Sequence, residues 1–189
     1  MKDFGKFLFA HRDKTGIPFF LILVFFSKPQ IKTFFISIPL VLVGELLRIS
    51  SLMYTGEATR AKKIKAPFLA TGGPYAYVRN PIYLGNFLIA LGILIFYNPP
   101  FIFYPLFFLL FFIQYYLIVL EEEKFLESKF GDEYREYKRN TLRFFPKLYG
   151  YKKRTDRIYQ FFEVFKFEKS TVLLISALFL LGFILLFIR

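Results

Sequence analysis

An all-α integral membrane helical bundle with about five transmembrane helices is the fold class this sequence predicts, and three observations predict it. The 189-residue chain is 56% hydrophobic, with 29 Phe and 13 Tyr, which is too apolar for a soluble domain of this length. Its apolar residues fall in blocks, at 17–26, 33–47, 83–97, 101–120 and 170–188, and not at amphipathic spacing. Its basic residues gather in some of the intervals between those blocks and are absent from others.

Each block has its own account. A hydrocarbon core about 30 Å thick needs roughly 20 helical residues, so 101–120 and 170–188 span comfortably, while 17–26 and 83–97 are short. Residues 17–26 run through "SKPQIK" into 33–47, which reads as a tight helical hairpin whose tip reaches the interface through Lys28 and Lys32. The block at 83–97 gains a turn from residues 79–82 and stops at "YNPP", because proline does not continue inside a helix. A second hairpin, 83–120, and a single final span complete the bundle. One membrane domain over 1–189 is expected, with an N-terminal hairpin to residue 55, a core over 56–150, and a connector plus final span over 151–189. The last span carries the small residues Ser176, Ala177 and Gly182, which either face lipid or let a second helix approach closely.

Charge sets the orientation. Arg48, Arg60, Lys62, Lys63, Lys65 and Arg79 stand against Glu57 between the second and third blocks, and "YNPP" carries no charge. The positive-inside bias places that interval, residues 121–169 and the N-terminus in the cytoplasm, in agreement with five crossings. The net charge of +12 then reads as a topology and anionic-lipid signal. Nucleic-acid binding is not expected, because the charges flank spans and form no separate basic domain.

Composition closes several routes. Without cysteine there is no disulfide, no thiolate nucleophile and no Cys-ligated metal. The single histidine, His11, makes no His-based zinc site and reads as an interfacial polar residue, so no metal is expected. The polar, charged opening residues are no signal-peptide core, and no internal repeat is present.

Chemistry therefore concentrates in two polar clusters on the cytoplasmic side. The first is "GGPYAYVRNPIYLG", residues 72–85. Gly72, Gly73 and Pro74 make a turn where backbone can approach a ligand closely. Asn80 before Pro81 is pushed out of helical geometry just as a helix begins, and the first-turn N–H groups of that helix suit a carboxylate or other anion. Taken alone, the stretch also describes a loop-to-helix junction with interfacial tyrosines. The second cluster, "EEEKFLESKFGDEYREYKRNTLRFFP", residues 121–146, continues from the fourth block. Carboxylates at a hydrocarbon boundary and a helix C-terminus are costly unless paired or used, so basic partners from across the fold, such as Arg79 or Arg143, are expected for them.

The two clusters, separated by a two-span hairpin, resemble the membrane methyltransferase family that includes isoprenylcysteine carboxyl methyltransferase and the small phospholipid N-methyltransferases. The family pattern reads GPY-x-x-V-R-[HN]-P-x-Y-x-G, then E-E-x-x-L-x-x-x-F-G-x-x-Y-x-x-Y, then a basic residue and a proline. This chain supplies Gly73, Pro74, Tyr75, Val78, Arg79, Asn80, Pro81, Tyr83 and Gly85, followed by Glu122, Glu123, Leu126, Phe130, Gly131, Tyr134, Tyr137, Arg143 and Pro146. The match covers residues 56–146.

The resemblance implies a cytoplasmic pocket for S-adenosylmethionine, with S-adenosylhomocysteine as product, and a membrane lipid or lipidated acceptor entering sideways from the bilayer. Gly73, Pro74, Tyr75, Val78, Arg79, Asn80, Pro81, Tyr83, Gly85, Glu122, Glu123 and Tyr137 are the cofactor-binding positions it implies. Helix-start N–H groups and Arg79 would take the cofactor carboxylate, Glu122 or Glu123 its ammonium or ribose hydroxyls, and Tyr83 with neighbouring rings its sulfonium. Tyr83, Glu123 and Arg143 are the catalytic positions. Many relatives resemble "RHP" where this chain has "RNP", and Asn80 does not titrate near neutral pH. A carboxylate acceptor needs no base, whereas an amine must lose a proton, to Glu123 or Tyr83. Arg143 would orient an anionic acceptor group or hold anionic lipid. Sterol reductases look similar over the same pocket, so an NADPH-dependent membrane reductase is the alternative, followed by a non-catalytic membrane protein.

Overall fold

The computed structural model describes residues 2–57, 61–155 and 157–188; Arg60, counted above among the basic residues, lies outside them. Among the described residues six α-helices follow in order: α1 Lys2–His11, α2 Ile17–Phe26, α3 Ile31–Thr55, α4 Pro81–Tyr97, α5 Phe103–Asn140 and α6 Phe161–Ile188, with a 3-10 turn at Gly73–Ala76. The described residues contain no strand, only an isolated parallel bridge between Val78 and Leu142. Three helices of the described residues, α3, α5 and α6, are long and apolar enough to cross a membrane, and α2 and α4 are shorter apolar helices.

The principal pairing is α3 against α4, and small residues permit it. A Cβ built on Gly85 would lie 2.7 Å from the Gly44 carbonyl oxygen, and one on Gly44 would lie 2.8 Å from that of Gly85. One heptad further along each helix, a Cβ on Gly92 would lie 3.0 Å from the Ser37 carbonyl oxygen. Close backbone approach of this kind replaces the hydrophobic drive that helices lack in lipid. Gly182 of α6 is used in the same way, buried against the ring of Phe96, so this small residue of the last span serves a contact inside the chain.

The bundle has two unlike ends. At one, the Lys28 amide donates to the Tyr97 carbonyl at 2.9 Å, and Asn98 Nδ2 donates to the Lys28 carbonyl at 3.1 Å. Asn98, at φ 45°, closes α4 in the left-handed conformation, so "NPP" ends the helix as expected. At the other end, Arg12 Nη2 donates to the Ala61 carbonyl at 3.3 Å. Residues 12–28 thus run from end to end, although the ten helical residues of α2 rise only about 15 Å. Its rings pack on α4 and α5: Phe20 lies edge-on to Tyr97, and Phe19 lies against Phe103 and Phe107.

The longest helix, α5, has 38 residues, and its unbroken part before Gly131 rises about 42 Å, beyond the hydrocarbon core of a bilayer. Its apolar part, residues 103–120, continues without a break into the carboxylate cluster. Gly131 interrupts it at φ 54°, ψ −122°, a conformation that side chains resist. A Cβ there meets nothing within 4 Å, so substitution exposes the backbone term alone. Gly131→Ala is expected to lower stability by about 1–3 kcal/mol, read as a reduced melting temperature in detergent, and an unchanged one would show that the kink is optional. The charged opening residues form α1, which packs on α5, with Leu8 and Phe9 buried beside Tyr83, Ile118 and Val119. Likewise α6 begins at Phe161, nine residues before the apolar block, because "FFEVFKFEK" contains no glycine or proline to stop it.

Candidate active site

Backbone hydrogen bonds join the two motifs. The Arg79 amide donates to the Leu142 carbonyl at 2.9 Å, the Lys147 amide to that of Tyr77 at 3.0 Å, and the Tyr151 amide to that of Ala76 at 2.7 Å. Tyr137 Oη adds a bond to the Tyr75 carbonyl at 2.7 Å. The stretch after α5 is thereby laid along the stretch before α4, and Glu122 and Glu123 face the residues of "GPYAYVRNP".

The carboxylates find their partners there. Glu123 Oε1 accepts from Arg79 Nε at 3.2 Å and Nη2 at 3.0 Å, and Arg143 reaches both its oxygens, at 3.0 and 2.7 Å. Arg79 also donates from Nη1 to the carbonyls of Lys138, at 2.8 Å, and Thr141, at 2.5 Å. Arg79 and Arg143 are therefore the cross-fold partners that the carboxylate cluster called for. Burial pushes the Glu123 carboxyl up, but the hydrogen bond from Arg143 and the charge of Arg79 outweigh it and hold the group below the usual carboxylate range. Glu122 is bound differently, accepting from Tyr83 Oη at 2.8 Å. Its enclosure raises the carboxyl to about 7, against a lesser lowering by that hydrogen bond and by Arg12.

A cavity of about 790 Å³ opens beside these groups. Of the expected site residues it is lined by Tyr75, Arg79, Asn80, Tyr83, Glu122, Glu123 and Tyr137. Gly73, Pro74, Val78, Pro81, Gly85 and Arg143 stand behind that lining and shape it. Gly73, at φ 53°, receives the ring of Tyr54, and Gly72 meets both that ring and the Thr155 carbonyl, so protein groups fill the close approach these glycines allow. Val78 is buried at the bridge to Leu142, and Pro81 starts α4 while Asn80 Nδ2 donates to the Arg143 carbonyl at 3.0 Å. Gly85 serves the α3–α4 crossing.

Further residues on the cavity belong to neither motif. Arg12 comes from the turn after α1, Arg48 from α3, Asn86 from α4, Tyr115 from α5 and Glu168 from α6. Arg48 Nη2 donates to Glu168 Oε1 at 2.8 Å, and Nη1 donates to Asn86 Oδ1. Asn86 Nδ2 in turn donates to Tyr115 Oη at 3.2 Å, and the Tyr115 ring lies 4.8 Å from that of Tyr83. The signal for Arg48 and Glu168 was an ionisable residue at the margin of an apolar block, which is a functional marker in its own right. Beyond them the lining turns apolar, with Ile89, Ala90 and Ile93 of α4 facing Leu174, Ile175 and Leu178 of α6. Among the described residues no cluster of three His, Cys, Asp or Glu suits a metal ion.

Fold and site together define an integral membrane helical protein with a cavity that is charged at one end and apolar at the other. The chain belongs to the phospholipid methyltransferase family, whose model matches residues 32–133, just over half of its length. A relative in Schizosaccharomyces pombe, described as Protein-S-isoprenylcysteine O-methyltransferase, is 32% identical over 142 residues, which is 73% of this chain and 56% of the relative. The chain thus spans just over half the length of that protein. No solved structure matches the chain.

Proposed function

We propose that this chain is an integral membrane methyltransferase that uses S-adenosylmethionine and methylates a lipid or lipidated acceptor arriving from the bilayer. The observation that carries this reading is one cavity in which Tyr83, Glu122, Arg79 and Glu123 occupy one end and the α4 and α6 aliphatic residues the other. At about 790 Å³ it lies within the usual range for small-molecule sites, roughly 300–1,000 Å³. Bound S-adenosylmethionine would supply an electrophilic methyl group for in-line displacement, a reaction that needs alignment and exclusion of water more than any covalent step.

The residues present fit that cofactor. First-turn N–H groups of α4 suit its carboxylate, Glu122 suits its ammonium or ribose hydroxyls, and the faces of Tyr75, Tyr83 and Tyr137 suit its sulfonium. Arg79, with its donors already on Glu123 and two carbonyls, braces the wall, and Glu123 between two guanidiniums stays ionised. Glu122, held near neutrality, is accordingly better suited than Glu123 to accept a proton from an amine. The basic residues Lys62 and Lys65 at the cavity support a cytoplasmic mouth.

Calorimetric titration of the detergent-solubilised chain with S-adenosylhomocysteine and with NADPH tests the reading. Binding of the first is expected, NADPH alone would make the protein a reductase, and binding of neither would leave it non-catalytic. Labelled-methyl transfer into a lipid extract and a membrane-protein fraction then identifies the acceptor. The pH profile adds a further prediction. With an amine acceptor, activity should rise as Glu122 deprotonates near pH 7, and Glu122→Gln should remove that limb, whereas a carboxylate acceptor should show no such limb. In stability the sign is opposite: a carboxyl raised in the folded state favours folding below its unfolded value near 4.5 and loses that contribution as pH rises to about 7.

A further inference from the structure

Arg48 and Glu168 form an ion pair that neither motif contains, at the point where the cavity changes from polar to apolar. On α4, Asn86 is followed by Ile89, Ala90 and Ile93; on α6, Glu168 is followed by Thr171, Leu174, Ile175 and Leu178, and all of these line the cavity. Spacings of three, four and seven keep each set on one helix face. The two helices therefore make a slot with polar groups at its head and aliphatic groups for about 15 Å beyond, the rise of ten residues from 168 to 178. An amphiphile lying in that slot places its polar head against Arg48, Asn86 and Glu168, beside Tyr115 and Tyr83.

Charge at this depth is costly and persists where it pairs or functions. Glu168 is wholly buried, on a helix whose buried residues are Val164, Glu168 and Gly182. Arg48 also has Glu45 Oε2 at 3.6 Å from Nε, and it keeps that counter-charge if Glu168 moves. A planar guanidinium fork matches carboxylate and phosphate oxygens equally well. Arg79, by contrast, is held by Glu123 and two carbonyls and has no comparable exchangeable partner.

We infer that Arg48 is a specificity residue that binds the oxyanion of the acceptor's head group, with Glu168 as the resting counter-ion that the acceptor replaces. This rests on the methyltransferase reading above. Where the oxyanion is itself the methylated carboxylate, ester formation cancels its charge, and Glu168 recovers Arg48 as the product leaves; where it is a phosphodiester beside an amine, the charge persists and anchors the lipid through the reaction.

Equilibrium binding to the full chain in nanodiscs tests this without turnover. The probes are an S-prenylated N-acetylcysteine against its methyl ester, and a lysophosphatidylethanolamine against the monoacylglycerol of the same tail. The wild-type chain should bind one oxyanion-bearing probe at least tenfold tighter than its counterpart without the oxyanion, and which one identifies the source of the oxyanion. Arg48→Gln with Glu168→Gln, which keeps the local charge balance, should reduce that preference to within twofold. Glu168→Gln alone, which removes the competing counter-ion, should tighten anion binding at least threefold. The inference is overturned by a wild-type chain that prefers neither anion, by a preference that survives in the double variant, or by weaker anion binding in Glu168→Gln. Binding of S-adenosylhomocysteine without anion preference would sink this inference and leave the methyltransferase reading standing. Anion preference without that binding would do the reverse.

Discussion

Glu123→Gln is expected to destabilise the chain by about 3–5 kcal/mol, the usual consequence of removing one partner from a buried ion pair, and to reduce methyl transfer by about 100-fold or more. The glutamine nearly preserves shape, so the effect isolates charge. The two carboxylate oxygens of Glu123 hold Arg79 and Arg143 together through contacts of 2.7 to 3.2 Å, and a neutral amide would leave two guanidiniums facing one another. Because Arg79 also carries the bonds to Lys138 and Thr141 that fix the end of α5, the wall holding Tyr134 and Tyr137 should loosen with it. Thermal denaturation in detergent together with labelled-methyl transfer reads both effects. A Glu123→Gln chain with wild-type melting and wild-type rate would show that the ion pair is ornamental. Glu122→Gln is the informative comparison, since among the described residues Glu122 accepts a side-chain hydrogen bond from the Tyr83 hydroxyl alone and the change should alter rate more than stability.

The second large effect is expected at the α3–α4 crossing. Gly85→Ala should cost about 1–3 kcal/mol through overpacking, and Gly85→Leu should prevent accumulation of the folded chain, because a Cβ at that position lies 2.7 Å from both the Gly44 carbonyl oxygen and Arg48 Cγ. Neither atom can retreat: one is helix backbone and the other belongs to the side chain paired with Glu168. Gly44→Ala, against the same crossing from the α3 side, should act alike. Size-exclusion profiles and melting curves of the purified variants check this, and a well-behaved Gly85→Leu protein would mean that the helices are free to separate. The position of Gly85 in the family motif is thus accounted for by packing that sets where Arg48 lies, one step removed from the cavity.

Much of the fold was legible in the sequence. The apolar blocks at 17–26, 33–47, 83–97 and 170–188 lie in helices, as does 101–120 from residue 103 onward, α4 begins at Pro81 and ends before "NPP", and the carboxylate cluster continues its helix. Less legible were helix lengths beyond the hydrocarbon, because α6 gains nine residues and α1 forms from charged sequence that hydropathy does not distinguish from loop. The site was legible in part. Tyr83, Arg79, Glu122 and Glu123 carry recognisable patterns, and the need of clustered carboxylates for basic partners pointed to Arg79 and Arg143. Which partner went to which carboxylate was not, since Glu122 and Glu123 are adjacent yet face different groups, one a phenol and the other two guanidiniums.

By itself the sequence determined a membrane helical bundle, the start of α4 at Pro81 and its stop at "NPP", its family and the two motifs. These follow from block length, proline position and residue identity, all of which act over a few neighbouring residues. Only the tertiary structure decided that Arg48 meets Glu168, 120 positions apart, that Gly72 and Gly73 receive a tyrosine ring, and that Arg12, Asn86 and Tyr115 share the cavity. The physical reason is that two glycines let α3 and α4 approach to backbone contact, and the rotation of each helix about that contact fixes which polar side chains face one another. No local pattern in the chain encodes that angle.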